Sequence, residues 1–229
     1  MQCLMENSYY LRYIPTKTDP PEFIIQPNGT KEVTENDNIT FTCAVGGKPS
    51  PSIQWLKNNA TLNTTAHSKF NVSGDGRILT ITGVVRSDEG NFSCNATNKV
   101  GSVVSSSAQL IVNYSPRFLQ SPKTTTLKEG SSLTLTCLFE GKPLPVLKNN
   151  EPSLVPTMWW KKNGIEIPIP TEEGLIVITY RKVNGTTAST SLTFNNIKRV
   201  DEGEYWCTAN NKIGSVNSSK ASITVNCKS

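Results

Sequence analysis

The 229-residue chain has a single histidine, His67, set in a polar stretch. One imidazole excludes a histidine-based catalytic triad and any multi-histidine metal site. The six cysteines include no C-x-x-C pair and no Cys/His cluster, which leaves zinc-ribbon and thioredoxin chemistry without ligands. There is no glycine-rich phosphate loop, and no spacing forces two carboxylates together. The sequence therefore implies no catalytic residues, no metal and no cofactor, and the chain is not expected to be an enzyme. Long apolar runs are missing too, so nothing spans a bilayer, and "MQCLMENSYY" lacks the apolar core of a secretory leader. A helical hydrophobic period is absent throughout. The formal charge of +5 is too weak a signal for nucleic-acid binding.

What the chain does have is a repeat. "DEGNFSC" (Asp88 to Cys94) recurs as "DEGEYWC" (Asp201 to Cys207), 113 positions later. At that offset "CNATNKVGSVVSSSAQLIVN" lies over "CTANNKIGSVNSSKASITVN", and "LTITGVVRSDEG" over "LTFNNIKRVDEG", without a gap. A long self-match at one period marks tandem copies of one folding unit. Inside each copy the pattern has period 2. "ITFTCAV" sets Ile39, Phe41, Cys43 and Val45 on one face, and "SLTLTCLF" does the same with Leu133, Leu135, Cys137 and Phe139. Such alternation builds half-buried antiparallel strands, and the glycine-bearing turns between them suit a sandwich or barrel. Cys43 and Cys94 both face inward, as do Cys137 and Cys207, so one buried disulfide per copy is the simple solution. Each bridge would add about 4 kcal/mol by chain entropy and would place the chain in an oxidising compartment. Cys3 and Cys227 are left over, free to pair with each other, with absent segments or between chains.

Trp55 and Trp160 each sit between the two cysteines of their copy, aligned by "WLKNN" and "WKKNG". Cys…Trp…Cys over short alternating strands, with D-x-G-x-[YF]-x-C and the "A-x-N-x-x-G" turns (Ala96 to Gly101, Ala209 to Gly214), resembles the I-set of the immunoglobulin superfamily across residues 20–226. The resemblance implies an all-β fold of two tandem immunoglobulin-like antiparallel β-sandwiches, residues 20–113 and 114–229, with 1–19 as a preceding segment. In it the repeated phrase is strand F, its cysteine is half of an inter-sheet bolt, and the tryptophan packs against that bolt. Phe92 and Tyr205 join this core. The family's tyrosine-corner hydroxyl is available from Tyr205 but not from Phe92. The second copy also carries about eleven extra residues before Trp160, a long B–C loop with no folding purpose legible in the sequence.

The same resemblance pairs strands C and F, putting Trp160 opposite Cys207 and Lys161 opposite Trp206. Trp206 and Trp159 then face outward, and with Lys161 they form a candidate binding face. Ten N-x-[ST] sequons are present: Asn28, Asn38, Asn59, Asn63, Asn71, Asn91, Asn95, Asn113, Asn184 and Asn217. Eight lie at or before Asn113 and two after it. Residues 114–229 hold fourteen basic and nine acidic side chains, so the whole net charge resides there. Lys161, Lys162, Arg181, Lys182, Lys198 and Arg199 are candidates for a basic patch that takes a heparan-type polysaccharide. The resemblance implies an extracellular segment of a longer single-pass cell-surface protein, touching the membrane only through a transmembrane segment outside this chain. Its role would be cell adhesion or recognition, with another cell-surface or secreted protein or a second copy of itself as partner. A ligand-binding segment of a receptor tyrosine kinase is the alternative.

Overall fold

The structure, a computed structural model, describes residues 17–63, 69–147, 157–168 and 176–227. Cys3, His67 and most of the long loop before Trp160 lie outside them. The chain divides into two compact units, one of Met1–Lys31, Asn38–Thr82 and Gly90–Leu110, the other of Glu32–Asp37, Gly83–Glu89 and Ile111–Ser229.

In the first unit, β1 (Asp19–Ile25) begins the chain's strands; β2 (Thr30–Thr34) follows it, and its last three residues belong to the second unit. The stretch of early alternation becomes β3 (Ile39–Thr42) and β4 (Ala44–Lys48), with Cys43 between them. Next come β5 (Ser52–Lys57), β6 (Ala60–Thr61), β7 (Phe70–Val72) and β8 (Ile78–Ile81). The repeated phrase forms β9 (Gly90–Thr97), followed by β10 (Ser102–Val104) and the start of β11 (Ala108–Gln120). β1 pairs with β4, and β8 lies between β3 and β7. The opposing layer centres on β9, which takes β5, β10 and β11 as neighbours. Period-2 packing explains the layers. Phe41, Cys43 and Val45 are buried while Thr40 and Thr42 between them are exposed, because successive strand side chains point to opposite faces.

The second unit repeats the plan. β12 (Thr125–Lys128), β13 (Leu133–Lys142), β14 (Val146–Leu147), β15 (Thr157–Lys162) and β16 (Ile165–Glu166) come first. Then follow β17 (Ile176–Lys182), β18 (Thr187–Phe194), β19 (Gly203–Asn210), β20 (Ser215–Asn217) and β21 (Ala221–Asn226). One layer runs β17-β18-β13, and the other β12-β21-β19-β15-β14. Leu135, Phe139, Trp160, Leu192, Phe194 and Tyr205 fill the space between. "VNYSPRF" is not a loop: Val112 to Phe118 lie inside β11.

The long B–C insertion also has a folding role that the sequence did not reveal. Val146 and Leu147 add a two-residue parallel strand beside β15. Leu144 and Leu147 pack on the core, and the Pro145 carbonyl accepts the Tyr180 hydroxyl at 3.0 Å.

Both expected disulfides are present, Cys43–Cys94 and Cys137–Cys207, each with 6.6 Å between Cα atoms. Trp55 lies opposite Cys94, and Trp160 opposite Cys207. Each indole is satisfied by a different partner: Trp55 Nε1 donates to the Gly76 carbonyl at 2.9 Å, Trp160 Nε1 to the Thr190 hydroxyl at 3.0 Å. Among the described residues Cys227 is free and exposed.

Candidate functional site

The repeated phrase turns out to be a wiring diagram in which the acids, the glycine, the aromatic and the cysteine each have a matched partner in the two copies. Asp88 and Asp201 accept the N–H of Val85 and Lys198, each at 2.8 Å, closing a short 3-10 turn just ahead of the strand. Glu89 and Glu202 accept the N–H of Val112 and Val225 at 2.7 and 2.8 Å. Gly90 and Gly203 have φ of +149° and +144°, and each leaves space for an asparagine amide. Those amides belong to Asn58 and Asn163, whose Oδ1 atoms accept the next N–H, of Asn91 at 2.9 Å and Glu204 at 2.8 Å. Asn58 and Asn163 themselves stand at positive φ in two-residue hairpins, joining β5 to β6 and β15 to β16, where a left-handed asparagine is the natural residue.

Phe92 and Tyr205 follow. Phe92 stacks on Phe41 with 4.8 Å between ring centres, and Tyr205 meets Phe194 edge-on. The Tyr205 hydroxyl donates to the Asp201 carbonyl at 2.7 Å, the bond that Phe92 cannot make. Burial, with the Asp201 carboxylate adding to it, pushes the Tyr205 phenol well above its ordinary value of 10.0; burial also raises Tyr180. The phenol stays neutral in the folded chain where the unfolded chain would ionise. Stability is therefore fully present below pH 10 and is lost as pH rises beyond it. Tyr205→Phe is expected to cost about 1 kcal/mol at neutral pH and to flatten the alkaline loss, as denaturant titrations at neutral and alkaline pH would measure.

The turn phrase is wired in the same way. Asn98 Oδ1 accepts the N–H groups of Val100 and Gly101, while its Nδ2 donates to the carbonyls of Asp19 and Pro49 at 2.8 and 2.9 Å. Asn211 repeats this with Ile213, Gly214, Tyr114 and Pro143. The roles of Asn58, Glu89, Asn98 and their counterparts were missed by the sequence reading. Their recurrence in matched phrases was the signal that could have found them.

The candidate binding face changes. Its expected register is correct, with Lys161 opposite Trp206 and Trp160 opposite Cys207. Trp206, however, is only 9% exposed. Lys220, at the head of β21, holds its Nζ 4.9 Å from the Trp206 ring centre and bonds Glu204 at 2.8 Å, covering the indole with its stem. Trp206 is thus no exposed anchor, and Trp159 and Lys161 beside it are half-buried.

The basic patch does not assemble. Lys161 and Lys162 belong to β15, in one layer, and Arg181 and Lys182 to β17, in the other. Arg181 and Lys182 pair with Ser189 and Ala188 near the start of β18, whereas Lys198 and Arg199 follow its far end. About 17 Å of strand separates these last two pairs. Lys162 spends its ammonium on the Val200 carbonyl at 2.5 Å. The six cations do not lie together as one patch: Lys162 reaches the segment of Lys198 and Arg199, whereas Arg181 and Lys182 lie apart from it.

Eight sequon asparagines are exposed and Asn95 is half-buried. Asn113 is 5% exposed, and its Nδ2, the atom a sugar would need, donates to Glu32 at 2.9 Å. That amide and the Lys212 ammonium hold the Glu32 carboxyl below its usual range. Asn113 is withdrawn as a glycan acceptor, because alternation turns it outward but Glu32 of β2 covers it. Peptide mass mapping of secreted protein should find Asn113 bare, and Asn113→Gln should leave the glycosylated mass unchanged.

Two models described as immunoglobulin domain match, one over residues 20–98 and one over residues 123–220. The chain belongs to the immunoglobulin superfamily. It is 32% identical over 188 residues to a human peroxidasin homolog, covering 81% of this chain and 11% of that protein. It is 28% identical over 204 residues to the neuronal cell adhesion molecule of Rattus norvegicus, covering 87% of this chain and 15% of that protein. A solved three-domain fragment of titin superposes with a TM-score of 0.64 at 26% identity, covering 91% of this chain and 66% of the fragment. The chain thus spans a small share of the curated relatives it matches. Immunoglobulin domains are in general not catalysts, and relatives of this chain include adhesion proteins. Among the described residues no helix is long and apolar enough to cross a membrane.

Proposed function

We propose that this chain is a glycosylated extracellular part of a cell-surface protein that works in adhesion or recognition, through contacts with other proteins. Its two modules, residues 20–113 and 114–229, act as binding units. The observation that carries this reading is the buried disulfide inside each sandwich. Cytosolic thiols are kept reduced, so paired core cysteines belong to chains folded in an oxidising compartment. The exposed sequons point the same way, since a glycan needs an outward asparagine. Many weak copies acting together give adhesion its strength, which an array of sandwiches supplies without any catalytic group.

The test is to secrete the chain from animal cells, array it on beads, and measure bead clustering and binding to cells. Deglycosylation should lower its mass, and all four core cysteines should resist alkylation until reduced. Beads that neither cluster nor bind any cell type would remove the recognition reading. Free thiols at those four positions in secreted protein would remove its foundation.

A further inference from the structure

β17 ends its layer: among the described residues β18 is its only strand neighbour. It is seven residues long and pairs with β18 along its whole length. The Val183 N–H bonds the Thr187 carbonyl at 2.9 Å, and the Thr179 carbonyl receives the Thr190 hydroxyl at 2.9 Å. Odd-numbered residues therefore direct their backbone groups toward β18. In an antiparallel ladder the alternate residues point the other way, so Ile178, Tyr180 and Lys182 present N–H and C=O to the edge that no described strand pairs. Exposed edges of this kind are templates for pairing with another strand, and proteins blunt them with short length, charge or cover. The matching edge of the first unit is blunted. There β7 has three residues, Phe70–Val72, and its middle one, Asn71, is an exposed sequon asparagine. β17 contains no sequon, no proline and no charge before Arg181.

We propose that the β17 edge is a homophilic site that pairs antiparallel with β17 of a second copy, about a two-fold axis at Thr179. In that register the outward N–H and C=O groups of Ile178 and Tyr180 meet those of Tyr180 and Ile178 in the second copy. Tyr180 falls opposite Ile178, an aromatic against a β-branched side chain, which is a favourable cross-strand pair. Arg181 falls opposite Val177 and Lys182 opposite Ile176, so the two cations of each strand lie at opposite ends of the ladder and no like charges oppose. A strand that meets its own reverse without repulsion selects itself as partner, and a two-fold contact closes at a dimer instead of growing into a fibre. This deepens the recognition reading by naming the partner, and it rests on that reading for its biological meaning only.

The experiment is sedimentation of the whole glycosylated chain from about 1 to about 200 µM, a range that brackets weak self-association. A monomer–dimer equilibrium is expected. Thr179→Lys sets two ammonium groups face to face from exposed positions and should weaken the dimer by about fivefold; Val177→Lys with Thr179→Lys adds two Lys–Arg oppositions and should weaken it by about a hundredfold. Mixing Thr179→Lys with Thr179→Glu should restore pairing, and both variants should keep the parent's unfolding midpoint. A chain that stays monomeric throughout, for instance because another part of it occupies the edge, overturns the proposal, as does a dimer indifferent to Thr179→Lys. Beads that still cluster in either case preserve recognition and discard this edge. A β17 dimer on beads that bind nothing discards recognition and preserves the edge.

Discussion

Replacing Cys137 and Cys207 together with alanine is expected to destabilise the second unit by about 4 kcal/mol, lowering its unfolding midpoint by about 20 °C. The bridge closes a loop with a sequence separation of 70 residues, so its loss returns a large conformational freedom to the unfolded chain. The folded side loses as well, because both sulfurs are fully buried beside Trp160 and two alanines leave a void. The first unit, whose bridge has a separation of 51, should keep its own transition, splitting one melting curve into two. Calorimetry on the parent and the double variant measures both effects. An unchanged profile would show that the sandwich stands without its staple.

The second large effect belongs to a glycine. Gly203→Ala should cost about 3 kcal/mol in the same unit. Its φ of +144° is a backbone conformation that side chains disfavour, and the new Cβ would sit 2.6 Å from Asn163 Oδ1. That oxygen cannot step aside freely, since it holds the Glu204 N–H at the start of β19. Gly90→Ala repeats the conflict in the first unit, with Asn58 Oδ1 at 2.7 Å. A double-mutant cycle separates the causes. Adding Asn163→Ala should recover the part of the loss due to the clash and leave the part due to φ. Strictly additive losses would mean that the glycine and the asparagine are not coupled.

The core was legible in the sequence because it obeys a short rule. Period-2 alternation put Phe41, Cys43, Leu135 and Cys137 inside, the offset of 113 matched Cys94 to Cys207, and the phrases "WLKNN" and "WKKNG" aligned the two tryptophans. The pairing of Lys161 with Trp206, implied by the resemblance, is also found. The binding face was not legible, because alternation says which side of a sheet a residue faces but not what lies across from it. Trp206 does leave the core side, and Lys220, just ahead of β21, then covers it. Asn113 turns outward only to meet Glu32. The six cations looked like a patch because they read as close in number, while a hairpin carried Arg181 and Lys198 to opposite ends of β18.

The sequence alone therefore determined the tandem repeat, the alternating strands and the inward cysteines, while the two sandwiches and the tryptophan against each disulfide came from the resemblance those motifs carry to immunoglobulin domains. Only tertiary structure decided the surface: which tryptophan is covered, which sequon is closed, and which strand, β17, has a single neighbour among the described residues. The physical reason is one of range. Facing is set by neighbours two residues away along a strand, whereas exposure is set by residues that meet only after the chain has folded back on itself.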